Sequence, residues 1–518
     1  MSRTLSNYDD EKLGSTERVE DISLPHLEAR IDPAAEKRLV RKLDLILLPQ
    51  MTLLFLLNFI DRSNIGNANV AGFSKDLKLS VPKYEYNVGL MLFYVAYVLV
   101  EIPSNLIMKK IGSIWLCMLT MSLFVYSKIL CALKDERTLT LPIREPYSAA
   151  ICIGTAFIHN FHSFVGVRIA LGLAEGGVIP GIVYALTRFY TRAELSFRIG
   201  VFLSLGPGLS GAFGGLLAAG FLSSTVKGLH TWQKIFVFEG VITMAFAILF
   251  FFTLPTSPES TKWLNEEERE LAVTRMKIEH SGVSTDKTTF RMVLKALANP
   301  YTWACCLGYN GINVVVQGTS VFLPQIIAGL GKFTIVQTNL RSVGPYLVAA
   351  VWSVGISYSS WRYKIHGFLI AGSCVLSVIG YIIFLVSAKP HVLYGAAFLT
   401  FSGALPNGPL FLSLATANAG SPTERAIAAA IVPSFGSFGS MASTWLYLPK
   451  YAPRYRPGNI VNVCAAILAM TMGAGLSLYG IYENRKRAAG ARDHRLEGKS
   501  EEEIAALGHK HPRYRLLI

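Results

Sequence analysis

An acid and a base stand side by side inside a stretch otherwise fit for lipid, and that pairing constrains the chain more than any other feature. Leu43 to Gly72 is a run of apolar residues that closes on Asn58-Phe59-Ile60-Asp61-Arg62-Ser63-Asn64. A charge in hydrocarbon costs about 2.5–3.5 kcal/mol even on insertion scales, so charges at membrane depth face a protein interior or a watery cavity. Asp61 and Arg62 are therefore expected in a site inside a membrane bundle, with Asn58 as a candidate cavity residue one turn earlier.

The rest of the chain supplies the bundle. Of 518 residues, 52% are hydrophobic and 16% charged, more apolar content than one soluble core uses. A span needs roughly 20 apolar residues, and about a dozen such segments are separated by polar breaks. The fold class expected is an all-α membrane protein. The formal charge of +15 lies in tails and alternate loops, as the positive-inside rule requires, rather than on one face as nucleic-acid binding would need. The seven cysteines show neither ligand spacing nor a disulfide framework, and core packing is their expected role. The first 40 residues lack a signal-peptide pattern, so the first span is expected to serve as its own insertion signal.

Residues 1–42 read as a cytosolic tail ending in Lys37, Arg38, Arg41 and Lys42. Residues 43–254 hold the first six spans. Span 2, about Tyr86 to Ile107, ends in Glu101-Ile102-Pro103-Ser104-Asn105 before a turn at Lys109-Lys110-Ile111-Gly112. Span 3 is ambiguous, because Ile114–Leu133 could form one span and Ser148–Asn160 looks like half of another, with a charged piece between. Span 4 runs from about Phe164 to Tyr184, span 5 from Ile199 to Leu222 and span 6 from Ile235 to Leu254. Residues 255–299 form a connector rich in Lys and Arg, with Asn265-Glu266-Glu267-Glu268 opening a helix. Residues 300–482 hold spans 7 to 12, near Tyr301–Ile327, Arg341–Ser357, Ile365–Ser387, Val392–Leu414, Ala426–Tyr447 and Ile460–Tyr482. Residues 483–518 form a second cytosolic tail. The halves look alike at Gly211-Ala212-Phe213-Gly214-Gly215 and Gly436-Ser437-Phe438-Gly439-Ser440, each shortly after a proline, Pro207 and Pro433. Matching interrupted helices mark a transporter built from repeats.

Span 4 carries Arg168 and Glu175, on one helix face but about 10 Å apart along the axis, so they do not pair with each other. If they face Asp61 and Arg62, the site holds two acids and two bases and is neutral with both acids ionised. Protonating either acid frees an arginine, which grips a carboxylate through two parallel hydrogen bonds. That is a route to proton-coupled uptake of an anion. In span 7, Asn310, Asn313 and Gln317 recur at helical spacing and offer an amide face, while Tyr94, Tyr97 and Tyr346 are further cavity candidates. Structural roles compete at each position: helix-stabilising pairing for the charges, Glu101 included, interhelical hydrogen bonds for the amides and ring packing for the tyrosines. His159 and His162 lack a third metal ligand, and no cofactor is expected. No nucleophile elbow, phosphate loop or dinucleotide fingerprint suggests an enzyme.

At these residues the sequence resembles the major facilitator superfamily, and within it the anion:cation symporter group, fungal permeases of the allantoate and nicotinate type. The motifs are Asn58 to Asn64, Glu101 to Asn105, Arg168 to Gly181, Ser257-Pro258-Glu259-Ser260 with Trp263-Leu264, Ala417-Asn418-Ala419-Gly420 with Arg425, and Ala452-Pro453-Arg454-Tyr455, while Arg492 to Leu496 and His511-Pro512 also look fungal. The resemblance implies twelve transmembrane helices in two pseudo-symmetric six-helix halves and alternating access around a central cavity. It also implies a plasma-membrane monomer with both termini cytosolic, carrying a small carboxylate with protons. Asp61, Arg62, Arg168 and Glu175 match positions linked there to proton coupling and carboxylate binding. Asn105 and Lys109 replace the glycine and acid usual in the loop after span 2, and residues 120–147 read as a lineage insertion or a retained intron. Efflux of a fungal secondary metabolite is the competing transport direction, and a non-transporting nutrient sensor the competing class.

Overall fold

The computed structural model describes residues 32–111, 154–222, 228–255, 257–281, 297–420, 422–452, 454–498, 511–512 and 514–518. The 120–147 segment and Ile114–Leu133 lie outside the described residues, and of the alternative Ser148–Asn160 only residues 154–160 are described. Everything regular is helical, with no strand among the described residues.

Helix α1 (Pro33–Val70) starts ten residues before the expected edge of the bilayer, because Asp32 and Pro33 make a strong start. The Asp32 carboxylate accepts from the amides of Ala34 and Ala35, and proline at the first helical position costs no hydrogen bond. Gly72, at φ 105°, then lets the chain leave in a conformation that disfavours other residues. Helix α2 (Glu85–Ile111) stays helical through the basic residues where a turn was expected.

Span 4 is two pieces, α3 (Phe161–Glu175) and α4 (Val178–Thr187), divided at Gly176-Gly177. Helices α5 (Arg192–Leu222) and α6 (Thr231–Thr253) complete the first half. The connector helix α7 (Glu266–Ser281) is followed by α8 (Pro300–Ala328), α9 (Ile335–Tyr363) and α10 (His366–Val386). Span 10 is again two pieces, α11 (Pro390–Ala404) and α12 (Asn407–Ala417), divided at Leu405-Pro406. Helices α13 (Pro422–Ser443) and α14 (Arg456–Ala488) follow. The fourth span of one half and the fourth of the other are thus both interrupted, a correspondence beyond the glycine pattern. Six helices among the described residues, α1, α5, α6, α8, α10 and α14, are long and apolar enough to cross a membrane.

The connector helix fixes one end of the molecule. Its Arg275, almost fully buried, is ion-paired with Glu36 at 2.7 Å and Glu194 at 2.7 Å, and Lys42 reaches Glu268 at 2.5 Å. Beside them Arg198 of α5 grips Asp44 of α1 with two bonds of 2.6 and 2.7 Å. The end of the bundle where α1 and α5 begin is called the connector face below, and the opposite end the far face.

Small residues set how the helices meet. Gly172 of α3 and Gly176 just after it press against the backbone carbonyls of Phe93 and Tyr97 on α2, where any Cβ would collide. Gly211 and Gly215 of α5 abut Tyr346, Asn339 and Ser342 of α9, across the boundary between halves. The glycines of the matching stretch in α13 behave differently: Gly436 and Gly439 abut Tyr309 and Asn310 of α8, within their own half.

Candidate functional site

Between the halves lies a cavity of about 80 Å³. Drug-sized ligands occupy pockets of roughly 300–1,000 Å³, so a substrate would enter this one only as the walls part. Helix α1 contributes Phe55, Phe59 and Arg62 to it, α2 contributes Tyr94, Tyr97 and Glu101, and α8 contributes Tyr309, Asn313 and Gln317. Pro207 of α5 and Pro433 of α13 line it from corresponding places in the two halves. Proline frees the carbonyl a turn earlier and bends its helix. Here each is followed by a serine that turns back to bond the proline's own carbonyl, Ser210 at 2.9 Å and Ser437 at 3.4 Å.

Arg62 is the cation among the described residues of the cavity wall. Its Nε donates to Glu175 Oε2 at 2.6 Å, and its Nη2 donates to Asn58 Oδ1 at 3.3 Å. The guanidinium stands 4.5 Å from the Tyr97 ring centre and 5.4 Å from that of Phe93, so aromatic faces enclose it on the sides the carboxylate leaves open. Glu175 is fully buried, and its second oxygen, Oε1, has no hydrogen-bond partner among the described residues. A buried pair so arranged is worth little as stabilisation, but breaking it leaves an uncompensated charge, at about 3–5 kcal/mol.

The other two expected charges sit apart from the wall. Asp61 faces a separate void of about 10 Å³ with Asn58 on α1 and Thr243, Ala247 and Phe250 on α6. Arg168 lies two turns nearer the far face than Glu175, its guanidinium 5.7 Å from the Phe164 ring and within electrostatic reach of Glu175. The structure therefore brings Arg62 and Glu175 into contact and places Asp61 and Arg168 around them, with Asn58 touching both the ion pair and the void beside Asp61.

Of the amide face, Asn313 and Gln317 reach the cavity, and Gln317 accepts from the Tyr94 hydroxyl of the opposite half at 3.1 Å. Asn310 turns away and donates to the carbonyl of Phe435 at 2.9 Å. Tyr346 is not on the wall: its hydroxyl donates to the Ser320 carbonyl at 2.9 Å while its ring packs on Gly211. His159 and His162 are exposed near the start of α3, and no group of three metal-ligating residues occurs among the described residues. Tyr309, Ser437 and Ser440 line the wall as well, the two serines having been marked in the sequence only as part of the repeated glycine pattern. A polar stripe in α13 was the available signal for the two serines, and Tyr309 differs in nothing local from the packed tyrosines.

Residues 51–444 match the model of the Major Facilitator Superfamily. The MFS-type transporter efuF of Hormonema carpetanum is 33% identical over 464 residues, which cover 88% of this chain and 87% of that protein. The high-affinity nicotinic acid transporter of Saccharomyces cerevisiae is 30% identical over 455 residues, 88% of this chain and 80% of its own. Among solved structures, the proton:xylose symporter XylE superposes with a TM-score of 0.58 at 16% identity, covering 83% of this chain and 94% of that one, a likeness of fold alone.

Proposed function

The chain belongs to the major facilitator superfamily, a multi-pass membrane transporter fold, and from that premise we propose that it carries a small organic anion together with protons by alternating access. The observation that supports this reading best is the Arg62–Glu175 contact at 2.6 Å beside a small cavity lined by both halves. In this cycle a proton binds the Glu175 carboxylate, the ion pair opens, and the freed guanidinium takes the substrate carboxylate in its place. After the halves rock, the substrate leaves, Arg62 returns to Glu175, and the proton departs to the other side. Tyr94, Asn313 and Gln317 supply hydrogen-bonding groups for the remainder of the substrate, and Phe55 and Phe59 supply apolar wall. Nicotinate is a natural first probe, since a relative similar to this chain is a nicotinic acid transporter. Arg168 and Asp61 belong to the same reading as charges that tune the pair from either side, and the connector face is its cytosolic side.

The test is uptake of a panel of radiolabelled carboxylates, nicotinate among them, into vesicles with an imposed proton gradient. Wild-type protein should accumulate one of them against its gradient. Glu175→Gln should lose that accumulation while keeping exchange of labelled for unlabelled substrate. Undiminished accumulation by Glu175→Gln would remove Glu175 from the coupling, and outward movement of the substrate under the same gradient would reverse the direction.

A further inference from the structure

The pairing of Arg62 with Glu175 leaves a second carboxylate of the wall without a cation of its own. Glu101 lies on the cavity, 4% exposed, and its Oε2 is buried with no hydrogen-bond partner among the described residues. Within reach across the boundary is the Ser434 hydroxyl of α13, in the opposite half, which itself donates to the Ala430 carbonyl at 2.9 Å and so has its oxygen left to accept from a protonated Glu101. Arg62 packs on the rings of Phe93 and Tyr97 and Gly176, next to Glu175, meets the Tyr97 carbonyl, whereas Glu101 lies one turn beyond Tyr97 along α2, about 6 Å farther from its far-face end. Glu101 therefore sits nearer the connector face than the Arg62–Glu175 pair and bridges the two halves there.

The charged and titratable groups that meet it are Arg62 of α1, Tyr97 of its own helix and Tyr309 of α8. Helix α13 presents the Ser434 hydroxyl, α3 acts on it through Glu175 and Arg62, and α4 contributes Ile179 to the same wall. One guanidinium thus serves two carboxylates. A buried carboxyl that has no cation is tolerated when it carries a proton, and once ionised it is driven toward water.

We propose that Glu101 is a second proton-binding site of the transport cycle: protonated, it closes the halves through Ser434, and on losing its proton it opens the connector face. This deepens the symport reading and rests on it. When a substrate carboxylate occupies Arg62, that guanidinium is lost to both Glu175 and Glu101, so both are protonated, and two protons accompany each monoanion. One net positive charge then moves with every substrate, and Glu101 is the last group to release a proton on the connector side.

The experiment needs no substrate. Spin labels at Arg188→Cys and Arg362→Cys, at the connector-face ends of α4 and α9, report the separation of the halves by double electron–electron resonance in lipid nanodiscs between pH 5 and 8. The distance distribution of wild-type background should shift toward longer separations as pH rises. Glu101→Gln, which keeps a hydrogen-bonding group for Ser434, should hold the short distance at every pH, and Glu101→Asp should restore a pH response. Glu175→Gln should keep the response, so a failure of coupling at Glu175 and a failure at Glu101 are told apart. A pH response in Glu101→Gln equal to that of wild type, or none in wild type, overturns the assignment.

Discussion

At the scale of single residues, Arg62 and Glu175 are held by each other and by little else. Arg62 has Asn58 and the faces of Tyr97 and Phe93 around it, and Glu175 leaves one oxygen without a described partner. Removing one member strands the other. Arg62→Ala should lower stability by up to about 3–5 kcal/mol at a pH high enough to keep Glu175 ionised, and by much less at low pH, where the stranded carboxyl takes a proton. Adding Glu175→Gln to that variant should recover much of the loss without recovering transport. Thermal unfolding of the purified variants measures both steps, and a double variant no more stable than Arg62→Ala would mean that the charge is not what was lost. These two residues were legible in the sequence because an ionisable side chain inside an apolar run has few explanations. Their partners were less so: nothing in the spacing distinguishes Asn313 and Gln317, which reach the cavity, from Asn310, which bonds a neighbouring backbone. The distinction depends on how α8 is rotated against α13, and Gly436 and Gly439 set that rotation by admitting Tyr309 and Asn310 so closely.

At the scale of helices, apolar length predicted most spans to within a few residues, since a bilayer demands it. Span 7 was expected at Tyr301–Ile327 and is observed at Pro300–Ala328. Hydropathy said less about interruptions and ends. Val392–Leu414 reads as one apolar run, yet the chain breaks at Leu405-Pro406, and α9 extends past both expected limits, starting where Thr334 and Gln337 cap it and ending where Lys364 turns left-handed. Interhelical distance is equally hidden in composition, although glycine marks where to look. Gly66 of α1 faces the carbonyl of Val321 on α8, the first helix of the opposite half, with no space for a methyl group. Gly66→Ala should therefore wedge α1 from α8, at about 1–3 kcal/mol of overpacking. The expected signature is conformational: a cysteine placed at Asn313, on the cavity wall, should react faster with an impermeant maleimide added at the far face. Unchanged labelling would show that the two helices part too freely for Gly66 to matter.

At the scale of the whole molecule, the two halves are joined unevenly along α2. Toward the far face, Asn87 donates to the Thr444 carbonyl at 2.5 Å, Trp445 donates to the Met91 sulfur at 3.3 Å, and Tyr94 donates to Gln317 at 3.1 Å. Toward the connector face the corresponding described contact of α2 is Glu101 with Ser434. The first group consists of neutral hydrogen bonds that ignore pH, and the second turns on one carboxyl. Alternating access needs both ends to open in turn, so the far-face cluster has to break once in every cycle. Individually such bonds are worth about 0.5–1.5 kcal/mol, small enough for substrate binding to overcome. Cysteines at Asn87 and Thr444, joined by a short reducible crosslinker, should hold that face shut and abolish exchange across the membrane, and reduction should restore it. Exchange by the crosslinked protein at the wild-type rate would mean that the far face opens elsewhere, and α2 with α13 would then be scaffold rather than gate.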